Sequence, residues 1–164
     1  MSSAAELADP LASVRHRAPA LAEGGVDFGL LTDLTGFSIK LVWVLARSSL
    51  AREFGVSDIT PHRFSILEVI GRNPGLQQSQ LAAALALTRP ATTLAVDFWE
   101  QRGCVERRKI PGDRRSSGVY PTPHGQRELA RLRKSVCKAE AALTAGLSDA
   151  EAGELLRLLR KIHK

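Results

Sequence analysis

The sequence predicts a mainly α protein with one small β-hairpin, and three observations carry that prediction. Apolar residues recur at three- and four-residue steps through most of the chain, the pattern of amphipathic helices. Alanine, leucine and arginine dominate while aromatics make up only 5%, which favours helices over a β-sandwich. One segment, CVERRKIPGDRRSSGVY, breaks the helical pattern with two β-prone runs around Pro111-Gly112-Asp113, a turn signal. At 164 residues, 44% hydrophobic and 24% charged, the chain has the composition of a globular domain with a core of useful size.

Residues 1–25 hold Pro10, Pro19, Gly24 and Gly25 and read as a mobile N-terminal arm carrying the basic Arg15-His16-Arg17. Residues 26–164 read as a single domain. Its first helix runs from Leu31 to Phe54 with Leu34, Phe37, Leu41, Val44 and Leu45 as its stripe, and Gly55 stops it. Thr60-Pro61 starts the second, because threonine caps and proline suits the first helical position. Phe64, Leu67 and Ile70 face inward there, and Asn73-Pro74-Gly75 ends it. A short alanine-rich helix follows from Gln77 to Leu85. Thr88 caps the next, which runs to Arg102 with Ala91, Leu94, Ala95 and Phe98 as its apolar stripe and Gly103 as its stop.

The hairpin pairs Val105–Lys109 with Ser117–Tyr120. Thr122-Pro123 opens a long helix in which Leu129, Leu132, Val136, Ala139 and Leu143 make a heptad seam, the pattern of contact with another subunit. Gly146 ends it. Ser148-Asp149-Ala150-Glu151 is a capping box for the last helix, whose apolar face is Leu155, Leu158, Leu159 and Ile162.

The net charge is +6 and the pI about 9.9. Within it Arg102, Arg107, Arg108, Lys109, Arg114 and Arg115 cluster against only Glu106 and Asp113. Two short helices followed by a basic hairpin suit duplex DNA: a major groove admits one helix, and an arginine on a hairpin tip can enter a narrow minor groove. The helix from Arg89 to Arg102 is the candidate reader, offering Thr88, Arg89, Thr92 and Thr93. Gln78 and Ser79, at the start of the preceding helix, can fix phosphates. At the tip Asp113 can hold the guanidinium of Arg115, with Arg114 beside it. Strand alternation sends Arg107 and Arg108 to opposite faces, so one of the two, taken as Arg108, meets the backbone. An ordinary charged turn would also explain the hairpin alone.

These residues also resemble a known family. The run NPGLQQSQLAAALALTRPATTLAVDFWEQRGCVERRKIPGDRRSSGVYPTPHG, residues 73–125, is similar to the MarR family (multiple antibiotic resistance regulators), most specifically in Asp113-x-Arg115 followed by Thr122-x-x-Gly125. The resemblance covers about residues 30–163. It implies a winged helix-turn-helix DNA-binding lobe over 57–122, with 30–56 and 123–164 as dimerisation helices. It further implies a homodimer on a pseudo-palindromic operator, released by a small aromatic or anionic effector, with an aromatic acid or its thioester as the candidate. Two departures bear on the operator sequence. Pro121 stands where leucine is common, and Leu94 and Phe98 stand where polar or basic residues are frequent.

For that effector the candidate residues are Phe37, Lys40, Trp43, Arg47 and His62, whose rings could stack and whose cations could hold a carboxylate; core and surface roles explain them equally well. An alternative is a thiol-based redox regulator, in which Cys104 follows the reading helix and Arg102, Arg107 and Arg108 lower its pKa. Nothing suggests an enzyme: there are no paired carboxylates on one face, no phosphate-cradling glycine loop, no GxSxG and no metal-ligand cluster, so no catalytic residue, metal or cofactor is expected. No apolar run reaches a membrane span and no signal-peptide pattern opens the chain, so a cytoplasmic location is expected.

Overall fold

The computed structural model describes residues 27–55, 58–110 and 113–163, without the side chains of Ile110 and of residues 113–116. The expected N-terminal arm therefore lies outside the described residues, as do the side chains of Asp113, Arg114 and Arg115. The fold is mainly α with a small antiparallel sheet. A 3₁₀ turn, Gly29–Asp33, precedes α1 (Thr35–Phe54) and α2 (Pro61–Arg72). Then follow β1 (Leu76–Gln77), α3 (Gln78–Ala84), α4 (Arg89–Gln101), β2 (Val105–Ile110), β3 (Asp113–Pro121), α5 (Pro123–Leu143) and α6 (Asp149–Ile162). No helix among the described residues is long and apolar enough to cross a membrane.

The chain divides into two compact units, Met1–Leu45 and Ala46–Lys164. In the first, Phe28 and Phe37 pack at 5.8 Å between ring centroids, while Ile39, Val42, Trp43, Val44 and Leu45 are exposed. The second holds the hydrophobic core, in which Ile66, Leu67, Ile70, Leu81, Val96, Trp99, Val105, Val119 and Leu132 are fully enclosed.

Local chemistry sets the helix starts. Thr60, Thr88, Thr122 and Ser148 each accept a hydrogen bond from the backbone N–H three residues on, and the first three precede a proline in the first helical turn. The two stops around the helix-turn-helix are of one kind. After α4, Gly103 takes φ +65°, with Cys104 N–H bonded to Trp99 O and Gly103 N–H to Glu100 O, both at 2.9 Å. After α3, Leu87 N–H bonds to Ala82 O and Ala86 N–H to Ala83 O, the same pair of bonds, but the residue at φ +49° is Ala86. A side chain in that region costs about 1–2 kcal/mol.

The sheet has strand order β1-β3-β2, all antiparallel. Its short first strand, pairing Leu76 with Val119 and Gln77 with Gly118, was not legible in the sequence. The second strand of the hairpin is also longer than expected. An irregularity between Lys109 and Ile110 shifts the register so that Ile110 faces Asp113.

Two sequence expectations are corrected. The seam of α5 does not face away from its own chain. Leu129, Leu132 and Ala139 are buried and Val136 packs on the core, so the heptad spacing marks in-chain packing against α2 and the last part of α1. There Ser49 Oγ donates to Ala139 O at 3.4 Å, and Arg133 grips Glu68 through Nε–Oε2 at 2.7 Å and Nη2–Oε1 at 2.8 Å. That paired hydrogen bond holds the Glu68 carboxyl below the usual glutamate range. The stripe of α4 is likewise rotated: Leu94 and Ala91 are exposed, and Thr92, Ala95, Val96, Phe98 and Trp99 are buried.

Two substitutions test these junctions by urea titration. Ala86→Gly should raise the unfolding free energy by about 1 kcal/mol, because glycine accepts φ +49° without the Cβ clash. Gly125→Ala should lower it by about 3 kcal/mol, because a Cβ there would sit 1.9 Å from Cys104 O, a backbone atom that cannot simply swing aside.

Candidate nucleic-acid interface

The interface is built on α3 and α4. Trp99, fully buried, donates its indole N–H to Arg63 O at 2.7 Å and so fixes α4 to α2. Next to it Phe98 has the Arg63 guanidinium 3.8 Å and the Arg102 guanidinium 3.7 Å from its ring centroid. Two such groups on one face would overlap, so they hold opposite faces. With its inner side fixed in this way, α4 turns Arg89, Pro90, Ala91, Thr93, Leu94 and Gln101 to solvent.

Gln78, Ser79, Arg89 and Thr93 line one open cleft of about 280 Å³ where α3 meets α4. The structure thus brings together four of the residues that the sequence nominated for DNA. Thr88 is exposed at the head of α4, its hydroxyl accepting from Ala91 N–H at 3.3 Å. Thr92 is the exception and is corrected. It is only 1% exposed, and its hydroxyl donates to Thr88 O at 3.0 Å, so it packs inside and cannot reach a base.

The two strand arginines part as alternation requires. Arg108 lies on the exposed side, bonded to Glu106 and 4.7 Å from the Tyr120 ring centroid. Arg107 turns to α4, where it pairs with both Asp97 and Glu100. The side-chain amide of Gln78 lies 3.3 Å from the Thr93 hydroxyl, and the amide orientation that satisfies both neighbours has its oxygen accepting from Arg107 Nη2 at 2.7 Å. Arg107 therefore ties the wing to both helices of the pair. Sequence reasoning missed this role, although two acids on α4 three residues apart were a signal that a cation would be drawn there.

The effector candidates are divided between the two units. In the first unit Lys40 Nζ lies 6.0 Å from the Phe37 ring centroid, and Trp43 is exposed. In the second, Arg47 and His62 are both exposed. The expected acidic thiol is corrected. Cys104 is buried, donates weakly to Arg102 O at 3.8 Å, and has its pKa pushed up, first by burial and then by the charge of Glu128, against a smaller opposing effect of Arg102. Such a thiol ionises less readily than an ordinary one.

A double-mutant cycle of Arg107→Met with Glu100→Gln should show a coupling of about 1 kcal/mol in urea unfolding, since the pair is only partly shielded from water. Strictly additive losses would mean that the wing is not tied to α4 in this way.

Comparison with known proteins agrees with this geometry. A family model described as "MarR family" matches residues 57–116. A "putative transcriptional regulatory protein for hcr operon" from Thauera aromatica is 34% identical over 137 residues, spanning 83% of this chain and 82% of that protein. Among solved structures, the transcriptional repressor CouR bound to a 23-mer DNA duplex is 31% identical, with a TM-score of 0.79 over 85% of this chain and 99% of that one. CouR bound to p-coumaroyl-CoA is similar at 28% identity and a TM-score of 0.75, covering 85% of this chain and 98% of that one. The wing, the capped helix pair and the Thr122–Gly125 start of α5 thus stand in a chain whose relatives match it over most of their length, and the chain belongs to the MarR family of transcriptional regulators.

Proposed function

We propose that this regulator is a cytoplasmic homodimeric repressor that binds a pseudo-palindromic DNA operator and is released from it by a small aromatic or anionic ligand. The observation that carries the DNA half is the cleft where Gln78, Ser79, Arg89 and Thr93 meet beside the exposed side of α4. In this reading α4 enters the major groove, Gln78, Ser79 and Thr88 fix phosphates, and Arg89 pairs with a guanine or a phosphate. The wing reaches the flanking minor groove with Arg115, its guanidinium held by Asp113 and Arg114 beside it, and Arg108 meets the DNA backbone. The CouR–DNA complex supports the assignment, because that protein shares this fold at 31% identity.

The division of labour follows the lobes: residues 57–122 bind DNA, and 30–56 and 123–164 pair two copies. Helix α6 supports the pairing. None of its residues is buried, and Leu155, Leu156, Leu158 and Ile162 are exposed on it. A second copy would cover an apolar surface of that kind. The ligand half rests on the CouR complex with p-coumaroyl-CoA and on Phe37, Lys40, Trp43, Arg47 and His62, which offer aromatic faces and cations to an aromatic acid or its thioester.

Gel-shift titration tests both halves. Aromatic acids and their coenzyme A thioesters, p-coumaroyl-CoA first, should release the protein from its operator. If none changes DNA binding at saturation, the ligand half fails. Arg89→Ala should weaken operator binding about ten-fold or more and reduce the slope of log K against log salt by about 1 if it meets a phosphate. Unchanged binding would remove α4 from the interface.

A further inference from the structure

Helix α4 carries a feature that phosphate binding does not use. Leu94 is 67% exposed, the most exposed of the large hydrophobic side chains among the described residues. Pro90 and Ala91, four and three residues before it, lie on the same side of the helix and are also exposed. This strip adjoins Thr93 and Arg89, which line the cleft with α3. The acids of the helix do not compete for that side, since Asp97 and Glu100 both pair with Arg107. The strip is therefore small, apolar and beside a cation, with one branched side chain standing out of it.

We infer that Leu94 is a specificity-determining residue that recognises the C5-methyl group of a thymine in the major groove. The inference rests on the DNA-binding reading above and adds what α4 reads. Leucine has no polar atom, so it cannot use the donors and acceptors of a base edge. The one apolar group that an unmodified base pair presents in the major groove is the thymine methyl. Small neighbours at Pro90 and Ala91 let the helix approach the base edges closely, and Arg89, five residues earlier at the head of the helix, holds the backbone or a neighbouring guanine. Burying leucine against a methyl also removes an apolar surface that stands exposed among the described residues.

The test uses the full chain and a pool of random-sequence duplexes, from which the protein selects its preferred site. Each thymine of the selected duplex is then replaced by deoxyuridine, which differs only by the missing methyl. Wild-type protein should bind about four-fold more weakly when the contacted thymine is replaced, the value of one buried methyl. Leu94→Ala should bind thymine and deoxyuridine duplexes alike, Leu94→Met should keep the discrimination, and neither should change the salt slope or the melting temperature. A protein that selects a site yet ignores deoxyuridine at every position overturns the inference alone. So does a Leu94→Ala variant that keeps the wild-type discrimination. If no sequence is enriched from the pool, the DNA reading fails as well, and this inference with it.

Discussion

The fold turns on a contact between two chain reversals. Thr122 donates its hydroxyl hydrogen to Gly103 O at 2.6 Å and accepts from Gly125 N–H at 3.0 Å, while its own N–H bonds to Cys104 O at 3.0 Å. One side chain thus caps the start of α5 and holds the stop of α4. The approach is so close that only glycine fits at position 125. Since β2 leaves from Cys104 and β3 arrives at Thr122, both ends of the wing are clamped at the point where the reading helix ends. The orientation of the wing relative to α4 is therefore set by backbone hydrogen bonds as well as by side-chain packing.

A second clamp, on the other side of the wing, is ionic. Arg107 reaches from β2 to Asp97 and Glu100 on α4 and to Gln78 at the head of α3. It spends a wing cation on internal order, although the sequence offers it as one more DNA charge. Phe98 does the same with Arg63 and Arg102, whose guanidiniums cover its two faces. Three arginines of a basic lobe thus have structural work, and fewer of its cations are free for a polyanion than its sequence offers. With less charge at the reading helix itself, apolar and shape recognition gain weight.

The burial of Cys104 follows from the same geometry. It sits between the stop of α4 and the clamp at Thr122, where water is excluded and its thiol is harder to ionise. Its position after the reading helix, which suggested a redox trigger, is instead a packing position. Gly125, where a Cβ would strike Cys104 O, lets the start of α5 approach the start of β2, while Gly103 supplies the left-handed turn that ends α4.

Much of this was legible in the sequence, because it depends on residues close together in the chain. Threonine before proline fixes helix starts, glycine in the left-handed region fixes a stop, and alternation splits Arg107 from Arg108. Each is a local matter of sterics and hydrogen bonding. What the chain order could not decide was which of two overlapping stripes on α4 faces inward. Ala91, Leu94, Ala95 and Phe98 and the rival set Thr92, Ala95, Val96 and Trp99 have the same helical spacing, and only the seat of Trp99 against the Arg63 carbonyl chooses between them. The α5 seam was ambiguous for the same reason, since a heptad packs equally well on a second copy or on its own chain. Periodicity thus determined that these helices have a buried side and where they begin and end. The tertiary structure alone decided which side that is, because the choice depends on partners distant in sequence, and with it that Thr92 is inside and Leu94 faces out.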